Sequence, residues 1–247
     1  RNSAAPGTSL NITGSGFGPN ESGITVTYDG NPVASGISAN AQGSWTATFA
    51  IPPSTSGLHS IRASGSATQA TSAPEVNLSI SPSISTSRNS AAPGTSLNIT
   101  GSGFGPNESG ITVTYDGNPV ASGISASAQG AWAATFTVPQ SASGAHSIKA
   151  FGSATQATIA PEVGLSVSPS ISISRTSGAP GTSVTITGSG FGFSETGISV
   201  TYDSTQVASG ISANAQGSWT TSLTIPQSTF GSHSIKANGP ITQTVSI

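Results

Sequence analysis

The sequence predicts an all-β protein built from three tandem β-sandwich domains of about seven strands each. One reason is repetition at an interval of 87 residues: residues 1–39 recur without a change as 88–126, and 175–213 form a looser third copy. The other is that each copy alternates apolar and polar residues in short stretches separated by Gly, Pro, Asn and Asp, which is typical of strands and turns. Three copies of one module therefore account for the 247-residue chain.

The strands of the first module are predicted from this alternation. The first covers residues 8–13, where Leu10 and Ile12 alternate with polar residues, and a Gly-rich stretch ends it. Pro32, just before the strand predicted at 33–38, and Gly36 within it suit the edge of a sheet. The remaining predicted strands lie at residues 24–29, 44–51, 58–63 and 76–80, and residues 81–85 form a strand that opens the second module.

The aromatic residues of each module are predicted to be core residues. Trp45 is in phase with Ala47, Phe49 and Ile51, so its ring should face inward. The alternative is an exposed Trp that stacks on sugar rings, as in a carbohydrate-binding module. The predicted structural core consists of Tyr28, Trp45, Phe49, Tyr115, Trp132, Phe136, Tyr202 and Trp219. Leu10, Ile12, Val26 and Ile61 are expected to be buried with them.

Composition limits the possible partners. Only 6% of the residues are charged and the net charge is −2, so no nucleic-acid-binding surface is expected. The chain has no Cys, which excludes disulfides and thiolate metal sites. No apolar run approaches the roughly 20 residues of a membrane-spanning helix. A sulfur-free, Ser- and Thr-rich chain suits an oxidising, extracellular setting.

The second module resembles a known family. Residues 82–85 read Pro-Ser-Ile-Ser, and residues 92–105 read Ala-Pro-Gly-Thr-Ser-Leu-Asn-Ile-Thr-Gly-Ser-Gly-Phe-Gly. Both resemble the opening of an IPT/TIG-type immunoglobulin-like domain, and residues 128–132 and 144–150 are similar to repeats of prokaryotic surface proteins. The resemblance covers the whole chain and implies immunoglobulin-like domains at 1–80, 81–167 and 168–247, the first without its opening strand. Such domains serve as spacers, adhesin stalks and filament units, which implies a location outside the cell or on its surface.

No catalytic, cofactor or metal site is predicted. Each module has one His, without a second His or a Cys near it, which is typical of a structural histidine. Glu21, Asp29 and Glu75 are spread too widely for a calcium loop. The Gly-rich stretch at 14–18 is followed by neither a helix nor a Lys, so it is not a phosphate loop. The chain is therefore not expected to be an enzyme.

N-glycosylation sequons stand out from this background. By strand phase or loop position, the Asn residues of the first two modules should be reachable from solvent, so N-linked glycans are a possible partner. A chain rich in Ser and Thr also produces sequons by chance. The candidates are Asn11, Asn20, Asn77, Asn98 and Asn107.

One charge pair is predicted in each module. Asp29 should leave its strand on the outward side, where the neighbouring strand carries Arg62. The expected contacts are Asp29–Arg62, Asp116–Lys149 and Asp203–Lys236.

The ends of the chain predict how copies join. The second and third modules are each preceded by a strand, 81–85 and 168–172, which the first module lacks. The strand at residues 8–13 of the first module should therefore expose an unpaired backbone edge. Such an edge promotes the addition of another strand unless something covers it. The predicted assembly edge comprises Thr8, Leu10, Ile12 and Thr13, and the predicted donor comprises Ile241, Thr242, Gln243, Thr244, Val245 and Ile247.

A head-to-tail contact of this kind propagates into a filament, with copies of the chain as its partners. The sequence thus favours a structural subunit of an extracellular filament, a pilus-like fibre or a cell-surface stalk. The alternatives are an adhesin or carbohydrate-binding module, and an accessory spacer of a larger secreted enzyme.

Overall fold

The computed structural model describes residues 3–69 and 73–247, and these residues form three successive β-sandwiches with no α-helix. The first module contains β1 (Ser3–Ala4), β2 (Ser9–Gly14), β3 (Ile24–Tyr28), β4 (Asn31–Ile37), β5 (Trp45–Ala50), β6 (Gly57–Ser64) and β7 (Glu75–Ile80). The second contains β8 (Ser83–Thr86), β9 (Ser90–Ala91), β10 (Ser96–Ser102), β11 (Ile111–Tyr115), β12 (Asn118–Ile124), β13 (Trp132–Thr137), β14 (Gly144–Phe151), a 3-10 turn (Ala157–Ile159) and β15 (Glu162–Val167). The third contains β16 (Ser170–Ile173), β17 (Ser183–Ser189), β18 (Ile198–Tyr202), β19 (Thr205–Ile211), β20 (Trp219–Thr224), β21 (Ile235–Asn238) and β22 (Val245–Ser246). The predicted all-β architecture is confirmed.

The second module shows the complete topology. One sheet has the order β13-β10-β8 and the other the order β12-β11-β14-β15-β9. All pairings are antiparallel except that between β9 and β15, which is parallel. In the first module the corresponding sheets are β2-β5 and β1-β7-β6-β3-β4, and in the third they are β16-β17-β20 and β19-β18-β21-β22.

The core of each module lies between its two sheets, around a Trp. Trp132 is 6% exposed and meets Phe104 edge to face, with ring centroids 5.3 Å apart. Gly101 lies opposite Trp132 on the neighbouring strand, where a side chain would overlap the indole. Buried residues also include Tyr28, Tyr115, Tyr202, Trp45, Trp219, Phe49 and Phe136. The indoles are therefore unavailable for stacking on sugars.

Strand boundaries differ little from the predicted ones. β4 begins at Asn31 and includes Pro32, which is possible because β4 is an edge strand with irregular register to β3. The short strands β1 and β9 were not predicted, because two residues are too few to show a period.

The predicted charge pairs are wrong. The register places Thr27 opposite Arg62, and Asp29 lies beyond the end of β3 with a φ of 46°. Arg62 instead pairs across to Glu75 on β7, at 2.5 Å, and Lys149 pairs with Glu162 at 3.3 Å. Asp29 and its counterparts bind the module histidines, as described below. The exposed Arg and Lys pairs contribute little, about 0–1 kcal/mol each.

Candidate functional site at the open edge of the first module

The outer edge of the smaller sheet is closed in the second module by β8. Ile84 of β8 lies opposite Gly101, and Ser83 lies opposite Ser102. The hydroxyls of Ser83 and Ser102 are 2.9 Å apart, so a side-chain hydrogen bond supports the backbone pairing. The third module repeats this arrangement with β16 against β17.

The same edge is open in the first module. Within residues 3–69 and 73–247, β2 pairs with β5 and with no other strand. Leu10 and Ile12 are only partly buried, against the prediction, whereas their counterparts Leu97 and Ile99 are 1% and 0% exposed. Because residues 1–39 and 88–126 are identical, the cause of the difference is not the local sequence. The presence of β8 against the equivalent strand accounts for it.

A shallow groove lies beside this edge. It has a volume of about 400 Å³ and is lined by Thr13, Gly14, Ser15, Asn40, Ser44, Trp45 and Thr46. Gly14 corresponds to Gly101, the position that faces Ile84 in the second module. Gly14 is thus shared by the groove and by the position that an added strand would face.

The end of the predicted donor segment is paired within the third module. Val245 pairs with Ala237, and the backbones of Ile247 and Ile235 exchange two hydrogen bonds. Thr242 is 3% exposed. Strand donation by Ile241, Thr242, Gln243, Thr244, Val245 and Ile247 stays a prediction, and it requires the last three residues of the chain to leave β21 of their own module.

A buried carboxylate ties two loops together in every module. The carboxylate of Glu108 accepts hydrogen bonds from the amides of Gly105, Ala154 and Thr155, at 2.6–2.9 Å, and from the Thr155 hydroxyl at 2.9 Å. Burial raises the pKa of Glu108, but these hydrogen bonds outweigh it, so the pKa is lowered overall. Glu21 and Glu195 occupy the same position. This glutamate is structural, and strand periodicity gave no signal for it.

Each histidine is held between an aspartate and a backbone carbonyl. The His59 ring stacks on Tyr28, its Nδ1 lies 2.6 Å from Asp29 Oδ2, and its Nε2 lies 2.9 Å from the carbonyl oxygen of Thr55. Asp29 also accepts a bond from the amide of Ser60. The second and third modules repeat this cluster. It fastens the loop before β6 to the turn after β3.

The histidine of the third module should make stability depend on pH. Its hydrogen bond to Asp203 raises the pKa of His233, and the amide of Ser234, followed by His233, lowers the pKa of Asp203. The stability that His233 contributes is fully present below the ordinary histidine pKa of 6.5 and is lost as pH rises through the raised pKa. The aspartate contribution is complete above its ordinary pKa of 3.8 and is lost as pH falls through the lowered value.

We therefore expect the amides of β21 to exchange hydrogen faster once the pH is raised above the folded-state pKa of His233, after correction for intrinsic exchange. The variant His233→Gln carries no titrating ring, so its corrected exchange should be flat over the same interval. An equal pH dependence in the variant would contradict this assignment.

The remaining candidates do not converge on a site. Glu21, Asp29 and Glu75 bind separate partners, and no group of three acidic or His side chains suited to a metal is found among the described residues. The candidate glycosylation residues Asn11, Asn20, Asn77, Asn98 and Asn107 are all exposed. Across the described parts of the chain, no helix has the length and apolarity needed to traverse a bilayer.

Comparison with known proteins supports the modular fold. The family model described as "IPT/TIG domain" matches residues 1–80, 78–163 and 166–245. No curated protein matches the chain.

Solved structures resemble the chain only distantly. The eight N-terminal immunoglobulin domains of Down Syndrome Cell Adhesion Molecule are 15% identical at a TM-score of 0.25, over 99% of this chain and 40% of that one. SGBP-B of Bacteroides ovatus, solved with a mixed-linkage heptasaccharide, is 16% identical at a TM-score of 0.30, over 98% and 60%. A putative membrane-anchored protein of Corynebacterium diphtheriae is 12% identical at 0.30, over 100% and 89%. Similarity of this size identifies neither a partner nor an activity.

Proposed function

Because the chain belongs to the IPT/TIG domain family along nearly its whole length, we propose that it is a structural rather than a catalytic protein, a subunit of an extracellular filament or cell-surface stalk. Its modules follow one another with only two residues between the last strand of one and the first of the next. Ser81 and Pro82 separate β7 from β8, and Ser168 and Pro169 separate β15 from β16. Such short joints favour a stiff rod over a flexible string of domains.

The observation that carries the proposal is the open edge of β2. A strand edge with free amides and carbonyls over a partly exposed core accepts another strand readily. Leu10 and Ile12 remain partly exposed there, although the identical sequence is sealed in the second module. We propose that a neighbouring copy supplies a strand to this edge, head to tail.

The chain itself gives the pattern of that strand. β8 places Ile84 opposite Gly101, with Ser83 and Ser85 bonded to hydroxyls of β10. A strand on β2 would place an apolar residue opposite Gly14 in the same way. The donor is therefore expected to be an uncharged strand with an apolar residue at that position, and a copy of this chain would have to release such a run from its own module, since β8 and β16 are already paired.

A peptide of residues 81–87 tests the edge directly. We expect it to bind the 247-residue chain and to slow amide hydrogen exchange in β2, because it supplies the backbone partners that β8 supplies to β10. The matched control is the same peptide with Ile84→Asp, which would place a charge opposite Gly14 against the core and should not bind. Unchanged exchange in β2 at saturating peptide would refute strand addition.

An adhesin or carbohydrate-binding role is supported less well, because the Trp rings are 4–6% exposed. The exposed sequons support N-linked glycans as additional partners. An intact mass of the natural material above that of the polypeptide would support this, and loss of the excess on N-glycan release would assign it.

A further inference from the structure

The second and third modules touch through two loops. The distal loop of a module is defined as residues 52–56, 139–143 and 226–230 in the three modules, and the receiving loop as residues 40–45, 127–132 and 214–219. The amide of Ser143 donates a hydrogen bond to the carbonyl of Phe191, at 3.1 Å, and the Ser218 hydroxyl donates to Gln140 Oε1 at 2.7 Å. These bonds fix the distal loop of the second module against the receiving side of the third.

We call the contact between the first and second modules the first junction, and that between the second and third modules the second junction. The first junction is chemically different from the second. Pro53 stands where the second module has Gln140, and Ala131 stands where the third module has Ser218. Neither can make the side-chain bond, since proline has no amide group and alanine no hydroxyl. Among the described residues, the first junction also has no counterpart of the Ser143–Phe191 bond.

The residues able to make this side-chain hydrogen bond lie instead in the distal loop of the third module and in the receiving loop of the first. Gln227 corresponds to Gln140 and is exposed, with no hydrogen-bond partner among the described residues. The receiving loop of the first module reads Asn-Ala-Gln-Gly-Ser-Trp at residues 40–45, as residues 214–219 do, whereas the second module departs at Ser127 and Ala131. The free distal loop and the free receiving loop therefore match the pair that is engaged at the second junction.

Phe230 is a second sign of contact at the distal end. It occupies the position of Ser56 and Ser143, and its ring is fully exposed to solvent. Ser143 lies within the second junction, so an apolar side chain at the equivalent position would be covered by a docked module. A fully exposed Phe in a loop gains nothing for its own module, but it gains free energy when an interface covers it.

We infer that the distal loop of the third module docks on the receiving loop of the first module of a second copy. Ser44 donates to Gln227, the amide of Phe230 donates to the carbonyl of Phe17, and the Phe230 ring is buried between the copies. This rests on the head-to-tail filament proposed above and specifies its contact surface. It is compatible with strand addition, because β16 and the loop contact coexist at the second junction.

Sedimentation velocity of the 247-residue chain over a range of concentrations tests the contact. The contact is small, so we expect weak, reversible association. Phe230→Ser, which installs the residue of the other two modules, should weaken association about tenfold through loss of buried apolar area, without altering the fold. Gln227→Asp combined with Ser44→Asp places like charges face to face and should abolish association.

A rescue distinguishes this contact from general stickiness. Gln227→Lys combined with Ser44→Asp places opposite charges in register, so association should return and should weaken with added salt. The matched control is Ser218→Ala, which affects only the internal junction and should leave association unchanged.

The inference would be overturned if Phe230→Ser and the charged variants left association unchanged. It would also be overturned if the chain stayed monomeric at every concentration. Neither result bears on the peptide experiment at β2, so the two proposals fail separately.

Discussion

Replacing Trp132 with Ala is expected to destabilise the second module by about 3–5 kcal/mol, because it removes a large side chain from a close-packed core. That is much of the stability of a domain of this size. Trp132 is 6% exposed and packs against Phe104, and Gly101 on the neighbouring strand has no side chain to fill the space.

Hydrogen exchange of the β10 amides measures this effect module by module, which a single melting curve of three linked domains does not. The control is Phe193→Ala, since Phe193 is 69% exposed and its loss should change stability by no more than about 0.5 kcal/mol. An effect below about 1 kcal/mol for Trp132→Ala would show that the indole is not the centre of the core.

Gly101→Ala is expected to cost about 1–3 kcal/mol or more through overpacking. A Cβ at this position would lie 2.1 Å from Cε2 of Trp132, and the indole is confined by the opposite sheet. Gly164→Ala is the matched control, because a Cβ there meets no atom within 4 Å.

A double-mutant cycle gives the sharper test. If the collision with the indole causes the loss, Trp132→Phe should reduce the cost of Gly101→Ala by making room. Additive effects would mean that the glycine is needed for a backbone reason instead.

The strands and the core could be predicted from sequence because both depend on local alternation. The partner of Asp29 could not, because it depends on the register of β3 against β6 and on the end of β3 at Tyr28. The same limit applies to Glu21, whose carboxylate binds amides of Ala67 and Thr68. Such contacts join loops, whose sequences have no apolar–polar alternation from which the contact could be predicted.

The candidate site was predicted in part. The open edge of β2 follows from comparing what precedes each repeat. The pairing of Val245 and Ser246 within their own module was not predicted, because it depends on the register that aligns Ser246 with Lys236. The differences between Pro53 and Gln140, and between Ala131 and Ser218, are visible in the sequence. Only the hydrogen bond from Ser218 to Gln140 shows that these positions form a contact between modules.

The parallel pairing of β9 with β15 has a mechanical consequence. Ser90 and Ala91 lie near the start of the second module, and their partners Ser166 and Val167 lie at its end. When the two ends of the module are pulled apart, these strands slide along each other, so their hydrogen bonds are loaded in shear and share the force. Bonds across an antiparallel hairpin pulled from its open end would break one after another. The terminal strands thus form a small clamp that opposes extension, which is the load that a stalk or a fibre carries.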